Sequence, residues 1–280
     1  MDSSNIIHTL WIGDSLSAME ELMLKSFQYF NCNVNLWTYK NSLTVPDGII
    51  IKDANEIIPE HKVFSYKSQN KYGHGKGSLS GFSDIFRYKL LFEKGGIWVD
   101  SDVTCLKEFK IEEPYFFRFH HQIGLVGNVL KADKNAPLME WCYNKAIQLV
   151  DRENTNWLLP IEILKEGVYY FNLQKYIHDI SNPDSFPVVR EMYLNNNRNI
   201  VNWTIIHWMN EEFRRMNIDK NKVVRGSHYQ QLLDKHKIDY NFATPEEIKL
   251  LKWKTSKLNY SILNLISRYN WYKRKLFDNF

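Results

Sequence analysis

Apolar and polar positions along the first part of the chain switch between two periods, which predicts alternating strands and helices. Residues 6–12 form a short apolar run that ends in a Gly-Asp turn, as is typical of a strand inside a sheet. From Ser17 to Phe30 the apolar positions recur with the helical period, and Ser17 is suited to cap that helix. A second strand is predicted over residues 34–39. This order indicates a parallel crossover unit, and such sheets bind ligands at the carboxyl ends of their strands.

The following segments continue the alternation. Residues 48–52 predict a short strand. The Gly-rich segment 66–81 predicts a polar loop, which either contacts phosphate or is simply mobile. Apolar spacing predicts a helix over residues 82–94 that stops at Gly95-Gly96, and a buried strand over 97–99 comes next.

The second half of the chain has a looser pattern. Residues 123–131 predict a strand pair or hairpin, and residues 137–150 predict a helix. A further helix begins at Pro245 and leads into a basic, aromatic segment. We therefore predict one main α/β domain over residues 1–245 and a helical tail over residues 246–280.

Composition is that of a globular chain, with 44% hydrophobic and 24% charged residues among 280, so disorder of the whole chain is not expected. Aromatic residues make up 15%, which suits a cleft for flat ligands, an interface or a membrane surface. Three widely spaced cysteines predict neither a disulfide framework nor a thiolate zinc site, so we expect a reducing compartment. No segment approaches the roughly 20 apolar residues of a membrane span, and we expect a cytoplasmic protein.

The net charge of +4 is mild for a nucleic-acid-binding domain, and no nucleic acid partner is expected. The charge is concentrated in the tail, where Asp278 is the only acid after residue 251. Seven cations lie between residues 252 and 275: Lys252, Lys254, Lys257, Arg268, Lys273, Arg274 and Lys275. Residues 253–280 interleave these cations with apolar side chains. That pattern fits either a helix at the surface of an anionic membrane or a helix that packs its apolar side on the domain.

Candidate chemistry lies at the end of the strand 97–99, in Asp100-Ser101-Asp102. The two carboxylates project to the same side because side chains of a strand alternate, so they are able to share one hard cation, Mn²⁺ or Mg²⁺. On the preceding helix, Asp84 and Arg87 share a face. They are suited to hydrogen-bond sugar hydroxyls, or they form an ordinary surface pair.

The block from Ser83 to Asp102 resembles the core motif of the family 32 glycosyltransferases, the group with a DXD-containing sugar-binding region. That group includes capsule and lipopolysaccharide enzymes and α-1,4-galactosyltransferases, and the block is also similar to the glucosyltransferase domain of large clostridial toxins. His8–Gly13 resembles the first strand of these families, and Asn128–Leu138 resembles more loosely the segment after the metal motif. The resemblance implies a GT-A-type nucleotide-diphospho-sugar transferase fold, with a mixed sheet flanked by helices.

The resemblance also implies roles at the donor end of the site. Trp11 would stack on the base while the backbone from Leu10 through Ile12 to Gly13 reads its edge, although Trp11 is alternatively a buried strand residue. Asp84 and Arg87 would bind hydroxyls of the donor sugar. Asp100 would meet ribose or metal-bound water, and Asp102 would ligate the metal. Further donor contacts are expected from Trp98, Ser101 and Ser227.

Two later segments resemble the elements that complete the metal site in these families. One is His207-Trp208, and the other is the loop Gly226–Tyr229. His207 and His228 are each expected either to ligate the metal or to be ordinary core or surface residues. The family's Gly-Pro pair has no clear counterpart, Leu159-Pro160 being the nearest, so the acceptor site is not predicted.

The expected function is transfer of a hexose, with retention, from a nucleotide sugar to a saccharide acceptor in capsule, O-antigen or lipopolysaccharide synthesis. The donor is expected to be UDP-galactose, UDP-glucose or a UDP-N-acetylhexosamine. A lipid-linked acceptor would suit peripheral contact with the inner face of the cytoplasmic membrane. Two other functions stay open: an effector that glycosylates a host protein, and a non-catalytic sugar-nucleotide or carbohydrate-binding module.

Overall fold

A computed structural model of the chain describes residues 6–40 and 42–277, with side chains described up to residue 274. The predicted domain and tail therefore each include positions outside the described residues, namely 1–5, 41 and 278–280. The strands are β1 (Ile6–Leu10), β2 (Asn33–Thr38), β3 (Ile50–Asp53), β4 (Gly96–Val99), β5 (Val103–Cys105), β6 (Tyr115–His120), β7 (Gly124–Ala132), β8 (Ile177–His178), β9 (Ile205–His207), β10 (Lys222–Val223) and β11 (Asn241–Phe242). The α-helices are α1 (Ala18–Tyr29), α2 (Ser80–Lys94), α3 (Pro137–Leu149), α4 (Leu159–Tyr170), α5 (Phe186–Leu194), α6 (Asn210–Arg215), α7 (His228–Lys235), α8 (Pro245–Lys254) and α9 (Lys257–Phe277).

A seven-stranded mixed sheet with the order β3-β2-β1-β4-β7-β6-β8 forms the centre of the fold. β1 pairs in parallel with β2 and β4, which confirms the predicted crossover unit and α/β architecture. β7 runs antiparallel to β4 and to β6. The carboxyl ends of β1, β2 and β4 and the β6–β7 turn consequently meet at one edge of the sheet.

Local sequence signals explain where several elements start and stop. Ser17 caps α1 through a capping box with Glu20, as predicted from its position. α2 ends at Gly95, whose φ of 70° places it in the left-handed region that glycine tolerates. The segment 123–131 proved to be mainly one strand, β7, rather than a strand pair. Its partner β6 precedes it, and the turn between them covers residues 121–123 and ends at Gly124, whose φ is 91°.

The faces of the sheet bury separate apolar clusters. β4 contributes to both, since Trp98 packs with α2 and α3 whereas Ile97 and Val99 pack on the face of α1. A third cluster joins α1 to α5–α8 and includes the buried Leu251 of α8. The tail therefore begins packed on the domain. α8 starts at Pro245 and is capped by Thr244, and the division of the chain near residue 245 stays a prediction.

No helix in the described ranges is both long enough and apolar enough to cross a membrane. Cys32, Cys105 and Cys142 are buried and free.

Candidate functional site

Asp100 and Asp102 lie at the carboxyl edge of the sheet, directly after β4, where the sequence predicts them. The backbone N–H of Asp100 donates to the carbonyl oxygen of Asn128 on β7, at 2.8 Å. Ser101 forms the turn between the two aspartates, and Asp102 leads into β5. The side chain of Asp100 is 29% exposed whereas that of Asp102 is buried. The carboxylate of Asp100 is therefore partly accessible to solvent, and that of Asp102 lies deeper in the site.

Arg87 joins Asp84 to Asp100. Its Nη2 lies 3.0 Å from Oδ1 of each carboxylate, and its guanidinium is buried. Trp98 supports the same carboxylate, since its Nε1 donates to Asp100 Oδ1 at 2.7 Å. Burial raises the pKa of Asp84 to about 6, although Arg87 opposes that shift. The pair Asp84–Arg87 is thus part of a buried polar cluster and not an ordinary surface ion pair.

His207 comes beside Asp102 because β9 pairs antiparallel with β5, in a register that sets Val103 opposite His207. Nε2 of His207 lies 3.5 Å from Asp102 Oδ2, which also accepts from the backbone N–H of Asn210 at 2.7 Å. Burial alone would raise the pKa of Asp102, but His207 and this N–H outweigh it and hold that pKa below its usual value. For His207, burial is opposed by Asp102 and Asp184, and together they raise its pKa to about 9.

A buried ion pair behind His207 was not predicted. Arg118 of β6 donates to Asp184 Oδ1 at 2.7 Å, and His207 Nδ1 lies 3.2 Å from the same oxygen. Burial would raise the pKa of Asp184, but His207 and Arg118 hold it far below its usual range. The one sequence signal was a charged residue at position 118 in an otherwise apolar strand, since an arginine there needs a buried partner.

Trp11 lies at the same edge, just beyond β1, and is partly exposed rather than buried in the strand. Its backbone N–H donates to the Trp37 carbonyl oxygen at 2.9 Å, and its indole Nε1 donates to Ser15 O at 3.1 Å. The indole folds over Gly13, where a Cβ would lie 2.9 Å from Nε1. Lys220 Nζ lies 5.7 Å from the centre of the ring. These contacts hold the Trp11 indole in place with the Lys220 ammonium group nearby.

Lys220 connects Trp11 with the aspartates. Its Nζ lies 3.0 Å from Asn210 Oδ1, and Asn210 is the residue whose N–H binds Asp102. Glu20 of α1 also pairs with Lys220. The predicted base-binding and metal-binding ends of the site are therefore neighbours.

The remaining predicted residues lie in varied places. Leu10 is buried, Ile12 is partly buried and Trp98 lies in the core behind Asp100. Ser227 caps α7 by accepting from the Gln230 N–H at 3.1 Å, and His228 Nε2 lies 2.8 Å from the Arg198 carbonyl oxygen. Within the part of the chain that is described, no contact joins these two residues to Asp100 or Asp102. Their ligand roles stay predictions.

The two aspartates fit a hard divalent cation. Hydrogen-bond donors engage Oδ1 of Asp100 and Oδ2 of Asp102, and no described residue hydrogen-bonds the second oxygen of either group. Among the described residues no cluster of three or more acidic, histidine or cysteine side chains forms a metal site from protein alone. Mg²⁺ is commonly held by one or two carboxylates together with substrate phosphates, and this arrangement offers that set.

Comparison with known proteins places the chain among saccharide-building proteins. A family model described as capsular polysaccharide synthesis protein matches residues 47–249. No curated protein matches the chain by sequence.

Solved structures with a similar arrangement have low sequence identity. The PaToxG glycosyltransferase is 14% identical over 90% of this chain and 84% of its own, with a TM-score of 0.44. The ligand-free glycosyltransferase domain of the YGT toxin is 9% identical over 93% and 98%, with a TM-score of 0.40. The apo form of glycosyltransferase GlyE from Streptococcus pneumoniae TIGR4 is 9% identical over 90% and 63%, with a TM-score of 0.37.

Proposed function

Because this chain belongs to the capsular polysaccharide synthesis protein family, we propose that it is a GT-A-type glycosyltransferase that transfers a hexose from a nucleotide sugar to a saccharide. The donor is UDP-galactose, UDP-glucose or a UDP-N-acetylhexosamine, and transfer depends on Mn²⁺ or Mg²⁺ and retains the anomeric configuration. The observation that carries the proposal is the buried cluster in which Arg87 joins Asp84 to Asp100 beside Asp102. This cluster offers donors and acceptors for sugar hydroxyls next to carboxylates for a cation.

In this proposal, different side chains bind the base, the diphosphate and the cation. Trp11 stacks on the base, and Lys220 sits between that indole and the aspartates, where its charge faces the donor's diphosphate. Asp100 and Asp102 would hold the cation, with His207 beside Asp102. When bound, that cation neutralises charge on the departing diphosphate.

Arg87 keeps Asp100 in place and hydrogen-bonds the donor sugar together with Asp84. Asp84 has a raised pKa because it is buried, so it is suited to accept or donate a hydrogen bond near neutral pH. Stabilisation of charge in a polar, buried site then accounts for the rate without a protein nucleophile.

The acceptor is proposed to be a saccharide in capsule, O-antigen or lipopolysaccharide synthesis, carried on a lipid. Contact of residues 253–280 with the cytoplasmic face of the membrane would bring the enzyme to such an acceptor. Of that segment, residues 278–280 lie outside the described range.

The test is donor hydrolysis and thermal stabilisation across a panel of nucleotide sugars, with and without Mn²⁺. Asp102→Asn keeps the shape of the side chain but removes the charge that a cation needs. Asp14→Asn is the matched control, since Asp14 lies at the same edge and is exposed. We expect one donor to be hydrolysed and to raise the Tm of the wild type and of Asp14→Asn only with metal, and Asp102→Asn to lose both responses.

Two results would contradict the proposal in different ways. If a nucleotide sugar stabilises the protein but is neither hydrolysed nor transferred to any saccharide, the chain is a binding module. If no nucleotide sugar produces either response, the site has another ligand.

A further inference from the structure

Helix α9 presents an apolar stripe to solvent. Five of its large exposed apolar side chains follow the spacing i, i+4, i+7, i+11 and i+14, which places them on one face of a helix. They are between 42% and 69% exposed: Leu258, Ile262, Leu265, Tyr269 and Tyr272. The stripe is about 21 Å long at 1.5 Å per residue. A continuous apolar surface of this extent marks an interaction site.

The opposite face of α9 is fixed to the protein by apolar packing of Tyr260 and Leu263 and by polar contacts. Tyr260 donates to Glu212 Oε1 at 3.0 Å, and Asn264 accepts from Arg215 Nη2 at 2.7 Å. Further along, Arg274 Nη2 donates to the carbonyl oxygen of Gln69 at 3.3 Å. These contacts set the rotation of the helix about its axis. The stripe therefore points outward as a consequence of how α9 is anchored.

Exposed cations lie on the same helix as the stripe. Lys257, Arg268 and Lys273 are exposed on the same helix. Trp253, near the end of α8, is 57% exposed. Apolar side chains with lysine and arginine on the flanks match the surface of an anionic bilayer, where tryptophan and tyrosine favour the headgroup level.

We propose that the outward face of α9 docks on an anionic lipid bilayer, with the helix axis in the plane of the membrane surface. The stripe enters the headgroup and acyl boundary, and the flanking cations meet the anionic headgroups. A second copy of the chain is the less suitable occupant, because face-to-face stripes would bring Arg268 and Lys273 of both copies together. This inference rests on the membrane contact proposed above for residues 253–280 and adds the face of the helix, its orientation and the lipid charge. The contact needs neither donor nor metal, so it is tested separately from hexose transfer.

The test is co-sedimentation of the full chain with phosphatidylcholine vesicles, with and without phosphatidylglycerol. We expect binding chiefly to the vesicles with phosphatidylglycerol. The double variant Leu265→Gln/Tyr269→Gln should lower the partition coefficient about a hundredfold, since each buried apolar side chain contributes roughly tenfold. Arg268→Glu/Lys273→Glu should remove the preference for phosphatidylglycerol. The matched control is Tyr169→Gln/Tyr170→Gln on α4, two exposed aromatic residues outside the stripe, which should bind like the wild type.

Three results would overturn the proposal: a wild type that binds neither vesicle, equal binding of the wild type and the stripe variant, or equal losses in the stripe variant and the α4 control. A wild-type dimer by light scattering that the stripe variant abolishes, without vesicle binding, would identify a second copy as the occupant. Donor hydrolysis measured without vesicles tests the glycosyltransferase proposal independently of the membrane proposal. Because the stripe side chains are exposed and outside the site, that activity and the Tm should stay unchanged in the stripe variant.

Discussion

The guanidinium of Arg87 occupies the space that a side chain at Gly127 would need. A Cβ at Gly127 would lie 2.6 Å from Arg87 Nη1 and 3.3 Å from Leu164 Cδ2. The backbone of Gly127 has no left-handed φ, so glycine is required here for space and not for conformation. The position of Arg87 between Asp84 and Asp100 thus depends on β7 as well as on α2.

Gly127→Ala should displace Arg87 from the two carboxylates. We expect kcat/KM for donor hydrolysis to fall about a hundredfold, as small displacements in an organised site do, while UDP affinity stays close to that of the wild type. Overpacking should also cost about 1–3 kcal/mol of unfolding free energy. Steady-state kinetics, UDP titration and urea unfolding measure the three effects. Unchanged kinetics in a folded variant would show that Arg87 is not needed where it lies.

Gly13→Ala should weaken UDP binding and leave kcat nearly unchanged, in contrast to Gly127→Ala. Its Cβ would lie 2.9 Å from Trp11 Nε1, so the indole must shift from the surface on which the base is proposed to stack. Loss of an aromatic stacking contact corresponds to about tenfold weaker UDP binding, with a raised KM and little change in kcat. Calorimetric titration with UDP measures the affinity, with Gly127→Ala as the comparison. Wild-type affinity in Gly13→Ala would remove Trp11 from the base site.

Asp184→Asn should destabilise the fold strongly. The substitution leaves Arg118 buried without its counter-charge, and breaking one side of such a pair costs about 3–5 kcal/mol. Glu166→Gln is the control, because Glu166 pairs with Lys145 at the surface with its side chain 58% exposed, where the cost is about 0–1 kcal/mol. Urea unfolding compares the two. Equal midpoints would mean that the buried cluster contributes no more than a surface pair.

His8 should make stability fall in acid. Burial lowers the pKa of His8 from 6.5 to about 4, and its Nδ1 accepts from Trp37 Nε1 at 3.0 Å, which requires the unprotonated ring. The unfolded chain takes up this proton near pH 6.5 and the folded chain only near pH 4. The contribution is therefore complete above pH 6.5 and is lost as the pH falls toward 4, by about 3 kcal/mol.

Unfolding free energies measured across this pH range check the effect of His8. His8→Gln should have a flatter profile, whereas the exposed His61→Gln should keep the slope of the wild type. Parallel profiles for the wild type and His8→Gln would contradict the assignment.

Local patterns were sufficient to predict the elements that carry Trp11, Arg87 and the two aspartates. Periodicity located β1, α2 and β4, and the direction of parallel strands set their ends at one edge. The neighbours of those residues came from pairing between distant segments. His207 reaches Asp102 only through the β5–β9 register, which no local pattern specifies.

The tail shows the same limit of sequence information. The spacing of apolar residues predicts an amphipathic α9, but it does not show which face turns inward. That choice depends on polar partners such as Glu212 and Gln69, which are remote in sequence. In the structure Tyr260 and Leu263 of α9 pack on the domain, while other apolar side chains of the helix are exposed.

Because β5 and β9 are far apart in the sequence, the surroundings of Asp102 are completed late during synthesis. Asp102 leaves the ribosome before His207 exists, and at translation rates of 5–20 residues per second the interval is roughly 5–20 s. During that interval Asp102 lacks the imidazole and the Asn210 N–H that later compensate its charge. A nascent chain that ends before β9 consequently carries both aspartates of the DXD motif but not the setting that completes it.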